Sequence, residues 1–184
     1  MSIIIHWINN FYIIKQTIIH KKFIEQNAKL ANDALTGVFS RFAYQKAIDK
    51  YAADVPNDLA VFLIDINGLK RVNDQLGHKA GDEIICAAAE CIEKAVGKLG
   101  STFRIGGDEF VVFGKMNKLQ IAATLKSLTK IIDAWSGVYA KKLSVAIGWA
   151  HACDFAGCSI DRLIKEADKA MYKQKQEYYR QKSK

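Results

Sequence analysis

Residues 59–66 read Leu-Ala-Val-Phe-Leu-Ile-Asp-Ile, an apolar run broken by one carboxylate. A run this short, bounded by Pro56-Asn57-Asp58 and Asn67-Gly68, predicts a buried strand with Asp65 near its C-terminal end. Residues 101–105 and 110–113 are rich in β-branched and aromatic side chains, and Gly106-Gly107-Asp108 between them is turn chemistry. This pattern predicts a β-hairpin. Helical patterning covers 41–53, about 80–96, 117–135 and 160–178, and a further strand is expected at 143–150. Strands and helices therefore alternate around a hairpin, which predicts an α+β domain with a mainly antiparallel sheet and helices against it.

The N-terminal segment has its own pattern. Ile4, Ile8, Phe11, Ile14 and Ile18 form a helical stripe, and no Gly or Pro occurs from Met1 to Thr36, so a long helix running into Asp33 is expected. Its apolar part, residues 3–14, ends at Lys15 and is too short for a transmembrane span. It lacks the leading basic residues and cleavage site of a signal peptide. A dimerising coiled coil is the first reading. A membrane-surface helix over residues 3–19 is the second, and the stub of a sensor domain the third. The organisation expected is a helix over 1–32, one domain over 33–178 and a basic tail over 179–184.

Composition narrows the picture only slightly. The 184 residues are half hydrophobic with a single proline, enough for one domain plus an appendage. The net charge of +8 suits nucleic acid or anionic lipid in principle. Much of the excess lies near the ends, at Lys15, Lys21, Lys22, Lys29 and from Lys173 to Lys184, and no aromatic-interleaved basic motif stands out. A solvated surface is the simpler account, and no specific nucleic-acid partner is expected. Cys86 and Cys91 lie five apart on one expected helix, off-face from each other, so a zinc shared with Cys153 and Cys158 fits poorly. Reduced, mostly buried thiols in a cytoplasmic protein are expected instead.

The chemistry concentrates at two strand ends. A carboxylate inside a buried run costs free energy unless it is paired or binds a metal. Asp65 is such a group, and Asp108 and Glu109 follow a glycine pair that lets backbone approach a ligand closely. Carboxylates from neighbouring strands can hold two divalent cations for phosphoryl or nucleotidyl transfer. The dull alternatives are a turn-capping aspartate and a solvated hairpin tip. Downstream of Asp65, Gly68 permits a loop whose N–H groups face phosphates, and Lys70 adds a charge there. Asn73 and Asp82 suit a purine edge, since an amide donates and accepts and a carboxylate accepts from guanine.

Taken together, these stretches resemble the GGDEF domains, the diguanylate cyclases. The resemblance covers about residues 33–178. It rests on Asp33-Ala-Leu-Thr-Gly-Val-Phe-Ser-Arg41, Asp65-Ile-Asn-Gly-Leu-Lys-Arg-Val-Asn-Asp74, Gly77-His-Lys-Ala-Gly-Asp-Glu83, Gly106-Gly-Asp-Glu-Phe110, Ser144-Val-Ala-Ile-Gly148 and Ala167-Asp-Lys-Ala-Met-Tyr-Lys-Gln-Lys175, in that order. It implies the palm-like fold of nucleotidyl cyclases and condensation of two GTP into cyclic di-GMP with release of two pyrophosphates. It also implies two Mg²⁺ or Mn²⁺ per active site and a homodimer. By resemblance, Asp65 and the carbonyl of Ile66 bind metal, as do Asp108 and Glu109. Asp108 also helps remove the 3′-hydroxyl proton. Asn73 and Asp82 read guanine with His78 beside them, and Leu69, Lys70 and Lys175 serve the phosphates.

This sequence departs from the family at several points. Asn67 stands where many members carry Asp, and Ser40 and Phe42 change the end of the opening motif. The arginine usual four residues after Lys175 is replaced by Tyr179, with Arg180 one position later as the substitute phosphate ligand. The Arg-x-x-Asp product-inhibition set upstream of the signature reads Gly97-Lys-Leu-Gly100, so no inhibition through that site is expected. Asp82 predicts use of GTP and not ATP, because adenine lacks the N–H donors a carboxylate would accept from. Three classes of function follow: an active cyclase, a GTP-binding or scaffolding module without turnover, and a nonspecific basic nucleic-acid binder.

Overall fold

The computed structural model describes residues 14–17 and 31–182. Of the helix expected over 1–32, residues 14–17 and Ala31 are helical, Asn32 instead forms a bridge with Phe39, and the rest lies outside the described residues. The chain turns at Asp33–Thr36, where the Asp33 carboxylate accepts from the Thr36 N–H at 3.0 Å and from its hydroxyl at 2.7 Å. Helix α1 (Arg41–Ala53) follows, started by Ser40, whose hydroxyl accepts from the Ala43 N–H. Strand β1 (Leu59–Ile66) comes next, then helices α2 (Leu69–Leu76) and α3 (His78–Val96). A short 3₁₀ turn leads into the hairpin β2 (Gly100–Arg104) and β3 (Glu109–Lys115). Helix α4 (Lys118–Asp133), strand β4 (Val145–His151) and helix α5 (Ile160–Lys182) complete the domain.

The sheet order is β2-β3-β1-β4, with every neighbouring pair antiparallel. All eight residues of β1 are buried, which explains why its sequence is apolar without alternation. Its two faces feed two cores. Ala60, Phe62, Ile64 and Ile66 pack with Ile84, Ala88 and Ile92 of α3 and Ile121, Leu128 and Ile132 of α4. Leu59, Val61 and Leu63 pack with Leu163, Ala167 and Met171 of α5, and Tyr44, Ile48 and Tyr51 of α1 close that side. Each fully buried branched side chain contributes about 1.5–3 kcal/mol, so the centre of the sheet is the firmest part of the molecule. Asp65 extends the odd-numbered series of β1 and so points to the α5 side.

One close approach fixes where α5 lies. A Cβ on Gly148 of β4 would fall 2.0 Å from the Ala167 carbonyl oxygen and 2.1 Å from the Met171 nitrogen. Only glycine lets the helix backbone rest on the strand there. Lys175 is one helical turn beyond Met171, and Gln174 beside it accepts the N–H of Ile147.

Two elements differ from expectation. Helix α2 occupies a stretch that reads as loop, because Gly68 (φ 73°) and Gly77 (φ 84°) bound it in left-handed backbone. Helix α5 continues to Lys182, so most of the expected basic tail is helical. The thiols are also more varied than expected: Cys91 is buried, Cys86 and Cys158 are half-buried, and Cys153 is exposed.

Candidate active site

The two acidic segments meet because β1 and β3 pair in a register that sets Asp65 opposite Glu109. The Ile66 N–H also donates to the Asp108 carbonyl at 3.0 Å, stitching the turn to the strand end. Asp65 is 3% exposed. Its Oδ2 accepts from Lys175 Nζ at 2.7 Å, while its Oδ1 is buried with no partner. An unsatisfied buried acceptor costs about 1–3 kcal/mol, more when charged, and a cation would relieve it. Burial pushes the Asp65 carboxyl above the ordinary range; the Lys175 hydrogen bond opposes this and the charge of Asp108 adds to it. Burial alone would lower Lys175, yet it is raised, because the bond and charge of Asp65 and the charges of Asp108 and Tyr179 favour its protonated form.

One residue beyond the strand, Asn67 shows the same mark. It is buried, its Nδ2 donates to Ser144 Oγ at 3.1 Å, and its Oδ1 has no partner. Asp65 and Asn67 thus each leave one buried oxygen without a donor at the same end of β1, and oxygen is the donor a hard cation takes.

The signature turn is held by a residue whose role the sequence does not announce. Arg104 donates through Nη1 to Asp33 Oδ1 at 2.9 Å and through Nη2 to the Gly107 carbonyl at 2.9 Å. It thereby ties the opening turn at Asp33–Thr36 to the hairpin tip. The bonds to Thr36 and Arg104 outweigh burial and hold the Asp33 carboxyl below its usual range. The only cue in the sequence is a guanidinium at the end of an otherwise uncharged strand. Asp108 is half-buried and Glu109 exposed. A Cβ on Gly106 would sit 2.6 Å from Glu109 Oε2, so this carboxylate lies back over the glycine. Among the described residues, Asp65, Asp108 and Glu109 are not gathered within mutual ligand distance.

The remaining candidates lie on helices. Leu69 is buried and Lys70 exposed at the start of α2, directly after Gly68. A cleft of about 480 Å³ is lined by Gly68, Lys70, Arg71, Asp74, Tyr178 and Lys182, among others. Arg180 is exposed and does not line it; the cation that α5 brings there is Lys182, which donates to the Tyr178 hydroxyl. Asn73 rests on Gly81, where a Cβ would fall 1.9 Å from Asn73 Oδ1. Asp82 is the next residue, exposed, and His78 is exposed at the start of α3. Helix α2 is therefore pinned to α3 at the point where the two base-reading candidates lie. Glu83 is a second residue that pattern reading passes over. Its carboxylate accepts from the N–H groups of Val138, Tyr139 and Ala140 at 2.6, 2.9 and 2.9 Å.

Comparison with known proteins points the same way. The family model described as "Diguanylate cyclase, GGDEF domain" matches residues 30–181. The chain is 31% identical over 168 residues to the diguanylate cyclase DgcM of Escherichia coli K12, covering 88% of this chain and 40% of that protein. It is 30% identical over 150 residues to the cyclic di-GMP phosphodiesterase PdeB of Shewanella oneidensis, covering 78% of this chain and 17% of that protein. Among solved structures, a sensory box/GGDEF family protein from Caulobacter crescentus CB15 aligns with a TM-score of 0.62 at 31% identity. That alignment covers 80% of this chain and 99% of the other. The chain thus spans two-fifths of the length of DgcM and a smaller part of PdeB. No helix among the described residues is long and apolar enough to cross a membrane.

Proposed function

Since this chain belongs to the GGDEF domain family of diguanylate cyclases, we propose that it condenses two GTP molecules into cyclic di-GMP, releasing two pyrophosphates. The observation that carries the reading is the buried, unpartnered Oδ1 of Asp65, beside Asp108 and opposite a lysine from α5. A protein with no cation to bind gains nothing from leaving that oxygen bare.

In this reading Asp65, the Ile66 carbonyl, Asp108 and Glu109 would hold two Mg²⁺ or Mn²⁺ ions, which when bound would neutralise charge on the triphosphate and acidify the attacking hydroxyl. Asp108, at the hairpin tip, takes the 3′-hydroxyl proton. The freed oxygen attacks the α-phosphorus of the opposite GTP, and the bond to the β-phosphate oxygen breaks. Lys175 shifts from Asp65 toward the phosphates, and Lys70 meets them from α2. Asn73 and Asp82 take the guanine edge, with His78 alongside, and Asp82 excludes ATP. Most of the rate enhancement is positioning and electrostatics. Because one domain offers one such site, the product requires two copies of the chain, face to face. The segment before residue 31 is the candidate device for bringing them together, as a coiled coil or along a membrane surface.

Lys182 is better placed than Arg180 to serve the phosphate cleft, because it lines the cleft and Arg180 does not. Product feedback through the Gly97–Gly100 stretch is absent in this reading. A Cβ at Gly100 would fall 2.7 Å from the Phe113 carbonyl oxygen and 2.9 Å from Gly114 Cα, so glycine there serves strand packing. Excess cyclic di-GMP then leaves the initial rate unchanged through that site; high-affinity inhibition would contradict it.

A second reading is a GTP-binding domain without turnover. It is favoured by the Glu109 carboxylate lying back over Gly106 and by the similarity to a phosphodiesterase that carries a matching segment. One experiment separates them. The chain is incubated with GTP and Mg²⁺ and assayed for cyclic di-GMP, with Asp108→Ala and Glu109→Ala as controls. Product from the wild type alone supports the enzyme. GTP binding with no product supports the module, and the absence of both overturns each.

A further inference from the structure

At the other end of β1 from Asp65, a group of side chains converges that the proposed reaction does not use. His151 pairs with Ala60 across the β1–β4 ladder, five residues and about 16 Å along the strand from Asp65. It is the last residue of β4, with extended backbone. The 3₁₀ turn Ala152–Asp154 then curls the chain back, returning Cys153 and Asp154 to the histidine. His151 Nδ1 lies 2.8 Å from Cys153 Sγ, and Sγ lies 3.8 Å from Asp154 Oδ1. Among the described residues this is the one group of three potential ligands whose atoms all lie within 4.8 Å of one another.

We propose that His151, Cys153 and Asp154 bind a borderline transition-metal ion of the Zn²⁺ class, at a site separate from the carboxylates of the active site. The donor set is one imidazole nitrogen, one sulfur and one carboxylate oxygen. That combination suits Zn²⁺ and its neighbours and disfavours Mg²⁺, which seeks oxygen alone. In a tetrahedral site with ordinary Zn–S and Zn–N bonds, neighbouring donors lie about 3.5 Å apart. The observed separations fall on either side of this, and Cys153 and Asp154, both exposed, are free to adjust.

The histidine is the fixed member. It is 4% exposed with Nε2 buried, and Nδ1, which faces Cys153 Sγ, is the nitrogen offered to a ligand. Water completes the fourth position. Binding converts the Cys153 thiol to thiolate and releases its proton to solvent. The cluster already attracts a cation: Lys118 Nζ lies 2.5 Å from Asp154 Oδ1, the oxygen a metal would take. Metal and Lys118 therefore compete, and filling the site would stiffen the turn between β4 and α5.

The test is a Co²⁺ titration of the reduced full chain in excess Mg²⁺. The expected result is a thiolate-to-cobalt charge-transfer band with tetrahedral d–d bands, saturating at one equivalent and erased by Zn²⁺. Cobalt at Asp65, Asp108 and Glu109 gives no such band, because no sulfur is present there. Cys153→Ser abolishes the band, and Cys158→Ser retains it. Asp154→Asn weakens binding by about tenfold or more. Lys118→Ala tightens it, by up to about fivefold. Cys153, Asp154 and Lys118 are exposed, so these variants fold. A wild type without the charge-transfer band, or a band that survives Cys153→Ser, overturns the proposal.

Discussion

The strand-borne corner of the site and its helix-borne edge are built on different principles. At the corner, Asp65 is buried at the end of a strand that is buried throughout, and its geometry follows from pairing with β3 and β4. At the edge, Asp82 and His78 are exposed on α3, and Asn73 is held by contact with Gly81. The corner carries an unsatisfied oxygen and a raised carboxyl, and so holds stored electrostatic cost. The edge carries no comparable burden. In the proposed function, the buried ligand Asp65 is fixed by strand pairing at the expense of stability, whereas Asp82 and His78 are left open for a base to cover.

The largest expected effect tests the first half of that contrast. Asp65→Asn should lower cyclic di-GMP formation by about 10²–10⁴-fold. Thermal stability should not fall, because a buried charge is removed and half-buried Lys175 can turn to solvent. Turnover and thermal melting measured on the same preparation decide it. A large drop in Tm would mean that the Asp65–Lys175 pair is structural and that the corner carries no stored cost.

At the edge the penalties are smaller and fall on recognition. Asp82→Ala should lower kcat/KM for GTP by about 10–10²-fold, the worth of a charged hydrogen bond, and narrow the gap to ATP. Its melting temperature should match the wild type, since the side chain is exposed. Gly81→Ala comes next. The added methyl would sit 1.9 Å from Asn73 Oδ1, so the amide must move. A rise in KM for GTP of about tenfold, the worth of one displaced hydrogen bond, is expected with little change in kcat. A fall in kcat instead would show that the α2–α3 contact positions the corner as well.

The two regions were also unequally legible in the sequence. The corner was legible as a candidate, because a lone aspartate in an apolar run departs from local expectation and gives weight to a Gly-Gly-Asp-Glu turn that alone reads as ordinary polar turn chemistry. β1, the hairpin, α4, β4 and α5 follow from apolar periodicity to within a few residues. Helix α2 did not, because the glycines at 68 and 77 that allow its sharp boundaries also mimic a loop. Arg104 and Glu83 stayed hidden for another reason. Arg104 reaches Asp33, 71 residues away, and the Gly107 carbonyl, and Glu83 reaches backbone N–H groups 55–57 residues away; no side-chain pattern reveals a turn aspartate or backbone groups as partners. Cys153 likewise reads as one of four thiols until the 3₁₀ turn sets it against His151.

Glu83 offers the finest probe of whether corner and edge are coupled. It follows Asp82, and its carboxylate gathers the N–H groups of Val138, Tyr139 and Ala140. The loop running on from there reaches Ser144, whose carbonyl accepts the Asn67 N–H at 2.8 Å beside the corner. The bond from Ala140 leads the causes that hold the Glu83 carboxyl below its ordinary value of 4.5; burial opposes, and the bonds from Val138 and Tyr139 and the charge of Lys141 assist. A depressed acid contributes its full stabilisation above the unfolded value and loses it as pH falls through the folded value. The amide resonances of Val138, Tyr139 and Ala140 should therefore shift together in acid, with a midpoint below 4.5, and Glu83→Gln should remove that titration. If the Asn67 amide moves with the same midpoint, the loop transmits between the two regions. If it stays still, the corner is insulated from the edge, and the contrast between them is sharper than the proposed shared substrate requires.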